Sequence, residues 1–525
     1  MPSEKTNKNT AETFVVTEFA NQVYEIVWSP FLVYILLGTG LYFSLRSRFV
    51  QLRMVGEMLR LMFQRKNDNS GVSSFQALSM TLAGRVGTGN IAGVATAICF
   101  GGPGALFWMW VVAFLGASSA FVESTLGQIY KERINGECTG GPAFYIEHGA
   151  RSKFFAWVFA IITLLASAVL CPGVQSNAIG AAMESAFGIE TPISAAVICS
   201  LLCFIVFGGL KRIASFTTVV VPFMALSYIV VALITVFYNV DKIPAVFHLI
   251  FTSAFGMDSI FGGIVGTAVS WGVKRGLYSN EAGQGSGPHA SSAASVSHPA
   301  KQGLVQAFSV YIDTWFVCTA TGLMILSSGC YNVINPDGKP LFSGLTGIEA
   351  GPVYAQKAID SVMPDFGSPF VACALFFFAF TTILAYAYMA ETNIKYINRT
   401  LNKPWLLYIE RAILIFSVGV CTIKPSSIVW LCADIGIGLM AWVNILAILR
   451  LHNTAFLTLK DYETQLKNGI TEHVFHPEKL GSAHADYWQG NTAEENLAVE
   501  QAEGVENQPA SRGVRAFSQR FYNKD

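Results

Sequence analysis

Apolar residues fall in long runs separated by short polar stretches, and eleven of these runs approach the roughly 20 residues that cross a hydrocarbon core. They cover 28–45, 73–98, 104–129, 154–184, 192–208, 214–238, 259–275, 303–328, 368–392, 406–422 and 425–449. Runs of this kind predict helices, because a chain in lipid must satisfy its own backbone N–H and C=O groups. Residues 1–25 are polar and mixed in charge, without the short apolar core of a cleavable leader. After Arg450 the pattern stops, and the Glu-, Gln- and Asn-rich sequence to Asp525 reads as a soluble, flexible tail.

Two of the runs are broken from within. Gly84-Arg85-Val86-Gly87-Thr88-Gly89-Asn90 puts three glycines and an arginine inside the second. Glycine costs about 1 kcal/mol against alanine in a helix interior, and a charge at the bilayer centre costs roughly 2.5–3.5 kcal/mol on insertion scales. Such a break is tolerated where the opened backbone lines a cavity or meets other protein; the alternative is a packing kink. Five runs later, Gly262-Gly263, Gly266-Thr267 and Ser270-Trp271-Gly272 thin the seventh. Matching interruptions in two five-span halves predict an inverted repeat around a midplane site, with the first span outside it. The alternative for the second is ordinary small-residue packing.

This arithmetic divides the chain into an extracytoplasmic segment (1–27), an extra helix with a basic linker (28–72), a first repeat (73–238), an outside loop (239–258), a second repeat (259–450) with an outside cap (329–367), and a polar tail (451–525). The connecting charges set the orientation. One alternate set of loops holds Arg46, Arg48, Arg53, Arg60, Arg65, Lys66, Lys131, Arg133, Arg151, Lys153, Lys211 and Arg212, then Lys274, Arg275, Lys301, Lys395, Arg399, Lys403 and Arg450. The other set holds only Lys242, Lys339, Lys357 and Lys424. By the positive-inside bias the amino terminus lies outside and the carboxyl terminus in the cytoplasm.

Composition agrees with a polytopic protein of the cell membrane: 52% hydrophobic, 13% charged and a mean hydropathy of +0.46, with zero formal net charge arguing against a nucleic-acid partner. Cys99, Cys203, Cys373 and Cys432 lie inside apolar runs and read as buried free thiols. His473 and His476 stand three apart without further ligands at suitable spacing, so no resident metal or cofactor is expected. The G-x-x-G-x-G order at the first break is not a dinucleotide fingerprint. Gly283-Gln284-Gly285-Ser286-Gly287 lacks the Gly-Lys-Ser/Thr ending of a phosphate loop and reads as a mobile link, or a passive turn, in a cytoplasmic loop. No nucleophile elbow is present, and no enzymatic activity is expected.

The break, extended as Ile91-Ala92-Gly93-Val94, is followed by Gly101-Gly102-Pro103-Gly104 and Trp108-Met109-Trp110. Together with Gly140-Gly141-Pro142-Ala143-Phe144-Tyr145-Ile146 and Gly276-Leu277-Tyr278-Ser279-Asn280-Glu281-Ala282-Gly283, these residues resemble the alanine or glycine:cation symporter family over about 25–455. The resemblance implies an all-α fold of the leucine-transporter type, a five-plus-five repeat preceded by one helix. It also implies sodium-coupled import of small neutral amino acids, chiefly alanine or glycine, by alternating access. A glutamine carrier, or a membrane-embedded sensor signalling through the tail, is the alternative.

A zwitterionic substrate brings a carboxylate and an ammonium into a site short of water. The amides of Thr88, Gly89 and Asn90 open the half-helix after the break, where unpaired N–H groups and the positive dipole end favour the carboxylate. Gln175, beside Pro172-Gly173, resembles the family's polar contact; its alternative role is an interhelical hydrogen bond. Thr267, Ser270 and Trp271 complete the pocket, unless Trp271 is simple core filling. Sodium wants several hard oxygens. A leucine-transporter type fold implies that Thr381 and Thr382 meet the first break, where the carbonyls of Ala83 and Val86 add ligands; otherwise the threonines back-bond to their own helix. Proton coupling would instead use Glu123, Asp313 or Asp434, the first two expected near helix ends. Arg85 reads as a structural charge paired with one of them.

Overall fold

The computed structural model describes residues 18–63, 71–480 and 484–488. Among them, seven helices are long and apolar enough to cross a membrane: α1 (Glu18–Arg46), α5 (Gly104–Ile129), α6 (Lys153–Phe187), α8 (Gly209–Tyr238), α12 (Pro299–Ser328), α13 (Gly367–Leu401) and α15 (Ser426–Lys467). Shorter helices lie between them. They include α2 (Val55–Met62), α3 (Ser74–Arg85), α4 (Val94–Gly101), α7 (Thr191–Val206), α9 (Ile243–Ala254), α10 (Val265–Asn280), α11 (Gly287–Ala293) and α14 (Leu406–Thr422).

The expectation of eleven spanning helices in a leucine-transporter type five-plus-five repeat is therefore corrected to an all-α polytopic membrane protein with seven helices of spanning length. The physical reason lies in four of the runs. Run 73–98 is cut into α3, a π turn at Gly89–Gly93 and α4, and run 259–275 begins as a 3-10 turn at Gly262–Ile264 before α10. Runs 192–208 and 406–422 give helices of 16 and 17 residues. At 1.5 Å per residue they reach only about 24–26 Å, short of a core of roughly 30 Å. Without eleven equivalent spans, the equal halves have no counterpart.

Local chemistry explains the other irregularities. Pro172 falls where α6 restarts after a π turn at Ala166–Leu170, a place where its missing N–H costs little. A second π segment, Tyr311–Cys318, lies inside α12. The stretch 239–258, expected as a loop, contains α9. The connection 329–367 folds as a two-stranded hairpin, Asn332–Ile334 with Pro340–Ser343, and a short helix, Pro352–Asp360, whose Tyr354 reaches Cys99. The thiol of Cys373 is exposed, not buried as expected.

The tail departs most from expectation. α15 continues to Lys467, and the residues after it return to the protein. The Phe475 amide donates to Ser297 O at 3.2 Å, Ser297 Oγ donates to His473 O at 2.7 Å, and the Trp488 indole donates to Gln128 O at 3.0 Å. The Trp488 side chain is buried, with the Lys131 ammonium 5.1 Å from its ring. Residues 451–480 and 484–488 of the expected flexible tail are thus structured, and 489–525 lie outside the described residues. Burial of His473 holds its imidazole well below the ordinary value, at about 4.

Candidate functional site

The site is built around the end of α3. A capping box, Ser73 with Gln76, starts that helix, and the Val86 amide makes its last turn back to Leu82 O. The chain then turns at Gly87. A Cβ added there would lie 2.4 Å from Thr382 Oγ1 and 3.0 Å from Gln175 Oε1, so glycine is required by the closeness of α13 and α6. The Gly87 amide is capped by Asn90 Oδ1 at 2.8 Å, and Thr88 begins the new helical stretch with φ −57° and ψ −29°.

The structure brings several of the expected residues together here. The Thr88 amide donates to Gln175 Oε1 at 3.0 Å, and Gln175 Nε2 donates to Tyr278 Oη at 3.3 Å. Gln175 is held in place because Asn177, on the same helix, donates to the carbonyls of Cys421 and Lys424 at the end of α14. The hydroxyl of Thr88 is buried and has no hydrogen-bond partner among the described residues. An unpaired hydroxyl beside an opened backbone costs about 1–3 kcal/mol unless a ligand or water meets it.

On the other side of the break, Thr382 Oγ1 donates to Ala83 O at 2.8 Å and lies 3.0 Å from Phe378 O. That contact ties α13 to the last turn of α3. Thr381 bonds Phe378 O at 3.0 Å and faces Met224 of α8, away from the break. Val86 is buried at the turn itself, with φ −82° and ψ 85°.

Thr267, Ser270 and Trp271 sit higher on α10. Thr267 bonds back to Ile264 O at 2.7 Å, and Trp271 stacks on Phe100 with ring centroids 4.9 Å apart. Twelve residues separate Thr267 from Ser279, about 18 Å along a helix. The part of α10 that meets the break is instead Tyr278 and Ser279, which a Cβ on Gly89 would touch at 3.0–3.5 Å. Both residues belong to the Gly276–Gly283 motif, which was the available signal for them.

Asp313 lies in the π segment in the middle of α12, not near its end as expected. It accepts from Asn90 Nδ2 at 2.5 Å, from Ser279 Oγ at 2.9 Å and from Thr314 Oγ1 at 2.6 Å. These bonds fix Asn90, and through it the Gly87 amide. Asp434 is paired with Arg275 by two bonds of 3.0 and 3.1 Å, and that guanidinium lies 4.3 Å from the Trp430 ring centroid. Glu123 accepts from the amides of Gly283 and Gly285 and from Asn444 Nδ2. The glycine-rich 283–287 segment, expected as a mobile link, is therefore a buried cradle for a carboxylate. Arg85 donates to Gln306 O at 3.0 Å and to Ser309, while its Nε and Nη2 have no hydrogen-bond partner.

A helix opened at depth, with an amide-acceptor pair on one side and a hydroxyl-carbonyl pair on the other, suits binding of a small dipolar solute with a cation. Comparison with known proteins agrees with that chemistry. The sodium:alanine symporter family matches residues 12–477. The chain belongs to the sodium:alanine symporter family.

Among its relatives, the Bacillus subtilis (strain 168) protein YrbD, provisionally described as a sodium/proton-dependent alanine carrier, is 54% identical over 92% of this chain and 100% of its own length. The sodium/proton-dependent alanine carrier protein of Bacillus sp. (strain PS3) is 48% identical over 82% of this chain and 97% of that one. The sodium/alanine symporter AgcS of Methanococcus maripaludis is 37% identical over 85% and 97%. Among solved structures, a manganese transporter mutant of Eremococcus coleocola aligns with a TM-score of 0.45 at 15% identity, covering 85% of this chain and 90% of that one, too distant to guide the reading of the site. The symporter is thus a carrier and a multi-pass integral membrane protein, and its activity is sodium-coupled transport of alanine or a similar small neutral amino acid.

Proposed function

We propose that this symporter imports alanine, or a neutral amino acid of similar size, by binding it with sodium at the opened turn between α3 and α4. The reading is carried by the Thr88 amide, which already holds an oxygen acceptor, Gln175 Oε1, at 3.0 Å beside an unpaired Thr88 hydroxyl. The substrate carboxylate takes that acceptor position on the amides of Thr88 and Gly89, at the positive end of the restarted helix, and Gln175 turns to donate to it; the Asn90 amide, expected to join them, already donates to Gly87 O at 3.2 Å. Sodium is held by the Ala83 and Val86 carbonyls with the Thr382 hydroxyl; the expected fourth ligand, Thr381, is set aside because its hydroxyl faces Met224. Thr267, Ser270 and Trp271 line the outer approach, where the Trp271 ring limits side-chain size.

The orientation that goes with import is an outside amino terminus and a cytoplasmic carboxyl terminus, supported by the loop charges. The boundaries at 72, 238 and 258 then separate membrane segments from their connections, with 329–367 as an outside cap, whereas those at 27 and 450 fall inside α1 and α15. Purified protein is titrated with alanine, glycine and glutamine in sodium and again in potassium. Sodium and the preferred amino acid are expected to tighten each other's binding by one common factor, because equilibrium linkage is reciprocal. Binding of equal strength in both salts would defeat the reading.

A further inference from the structure

Residues 272–307, Glu281 among them, run from α10 through α11 into α12 and are buried without exception. This stretch includes Gly283–Gly287 and Lys301, expected as cytoplasmic loop sequence, so the inner side of the protein is sealed here. A carrier that works by alternating access has to open such a seal in every cycle.

The joint in the seal is small. Val72, just before α3, meets the stretch through two backbone bonds: its amide donates to Ala293 O at 3.0 Å and its carbonyl accepts from the Ser295 amide at 3.0 Å. From there the 12 residues of α3 climb about 18 Å to the opened turn at Gly87. From the other side, Gln128 Nε2 and Lys131 Nζ, at the end of α5, donate to Ala294 O at 3.0 and 2.8 Å. Whatever holds Gln128, Lys131 and the start of α12 therefore holds the joint.

The returning tail does both. Trp488 donates its indole N–H to Gln128 O, and the Lys131 ammonium lies 4.3 Å from the Tyr487 ring and 5.1 Å from the Trp488 ring. Ser297, just before α12, binds the backbone of His473 and Phe475. The Gln465 side chain pairs with the Val474 backbone at 2.8 and 3.0 Å and fixes the reversal after α15, and the rings of Phe475 and Trp488, 5.4 Å apart, join the two anchors. Beyond Lys467 the described residues form only two 3-10 turns, Pro477–Leu480 and Asp486–Trp488. A segment tied by side chains rather than by a helix or a ladder can lift without unfolding its neighbours.

We propose that the segment carrying His473, Phe475, Tyr487 and Trp488 is an inner latch. Docked, it keeps the Val72–Ala294 joint shut; lifted, it lets the start of α3 part from the 293–295 backbone, so that sodium and the amino acid leave toward the cytoplasm. The latch rests on the site and orientation proposed above and adds the element that controls the inner exit.

Cys138 reports on it. The thiol is buried on the short strand Glu137–Thr139 and lies 3.6 Å from Tyr487 Oη. A membrane-impermeant maleimide is applied to the cytoplasmic face of inside-out vesicles holding the full-length protein, and modification of Cys138 is followed by peptide mass spectrometry beside alanine uptake in proteoliposomes. Wild type turning over alanine with sodium is expected to react several-fold faster than wild type in sodium alone. Trp488→Ala is expected to react about tenfold faster in sodium alone, because the docked state loses its main anchor. Its half-saturating external alanine is expected to rise about fivefold, as the outward-facing state is depopulated. Trp488→Phe, which keeps a ring at Lys131 and gives up the indole bond, is expected to fall between and guards against a variant that does not fold. A Cys138 rate in wild type that ignores turnover overturns the latch, since the segment then stays docked throughout. So does Trp488→Ala or Trp488→Phe that exposes Cys138 with alanine uptake unchanged, which would make the segment a passive cover. Alanine uptake indifferent to sodium in wild type would instead overturn the symport reading, and modification only by reagent on the opposite face would overturn the orientation.

Discussion

The two glycine-rich interruptions, around Gly87 and around Gly263 and Gly266, look alike in sequence and behave differently in the structure. At Gly87 the opened turn is buried and cross-braced by Gln175 of α6, Thr382 of α13 and, through Asn90, Asp313 of α12. A Cβ at Gly263 or Gly266 would meet nothing within 4 Å, and both glycines are exposed. The first break has three partner helices to satisfy its backbone; the second frays at the start of α10. Glycine therefore marks where a helix can open, and polar partners on neighbouring helices decide whether the opening becomes a site.

That contrast can be broken most directly by filling both turns. Gly87→Val is expected to reduce alanine uptake at least about a hundredfold with normal membrane levels, since overpacking costs roughly 1–3 kcal/mol or more and here meets Thr382 and Gln175. Gly266→Val is expected to stay within about twofold, as at an unconstrained surface position. Equal losses in the two variants would erase the distinction.

Removing a brace is expected to have the next largest effect. Gln175→Ala removes the side-chain amide that turns to donate to the substrate carboxylate, a bond to a charged group worth about 1.5–3 kcal/mol, and should weaken amino-acid binding roughly ten- to a hundredfold. Isothermal titration with alanine at saturating sodium checks this. An unchanged affinity would show that Gln175 does not donate to the carboxylate.

Thr382→Val is expected to raise the sodium concentration for half-maximal uptake about tenfold, by removing one hard oxygen ligand. Thr381→Val should shift it less, because that hydroxyl faces Met224. The reverse order would place Thr381 nearer the ion. The smallest change is expected from Thr267→Ala, within about twofold in uptake at any substrate concentration, given its partial exposure and its bond back to Ile264. A large loss there would make the upper part of α10 a direct contact.

The membrane character and the first break were legible because each leaves a compositional trace in an apolar run, whereas the approach of Gln175 and Thr382 to it was expected only through the family resemblance, since composition does not say which helices meet. The helix count was less so, because hydropathy reports how apolar a run is and not whether glycine, a π turn or brevity stops it spanning. Thr267 and Ser279 show the limit on α10: both are small polar residues, and only the pitch of the helix against α3 selects the second. Glu281 lay inside a recognised motif but outside every predicted span, so its burial had no sequence signal. The docking of Trp488 was hidden for another reason: one aromatic in a polar tail gains its partners only from the folded loops at Gln128 and Lys131.

The seat of that tryptophan also sets an order of assembly. Gln128, which accepts its indole N–H, precedes it by 360 positions, so the seat is synthesised long before its occupant. Until residue 488 has been made, Gln128 O at the loop end of α5 lacks this donor. A chain cut short upstream of Trp488 would therefore leave Gln128 O without its indole donor and Lys131 without the ring that lies 5.1 Å away.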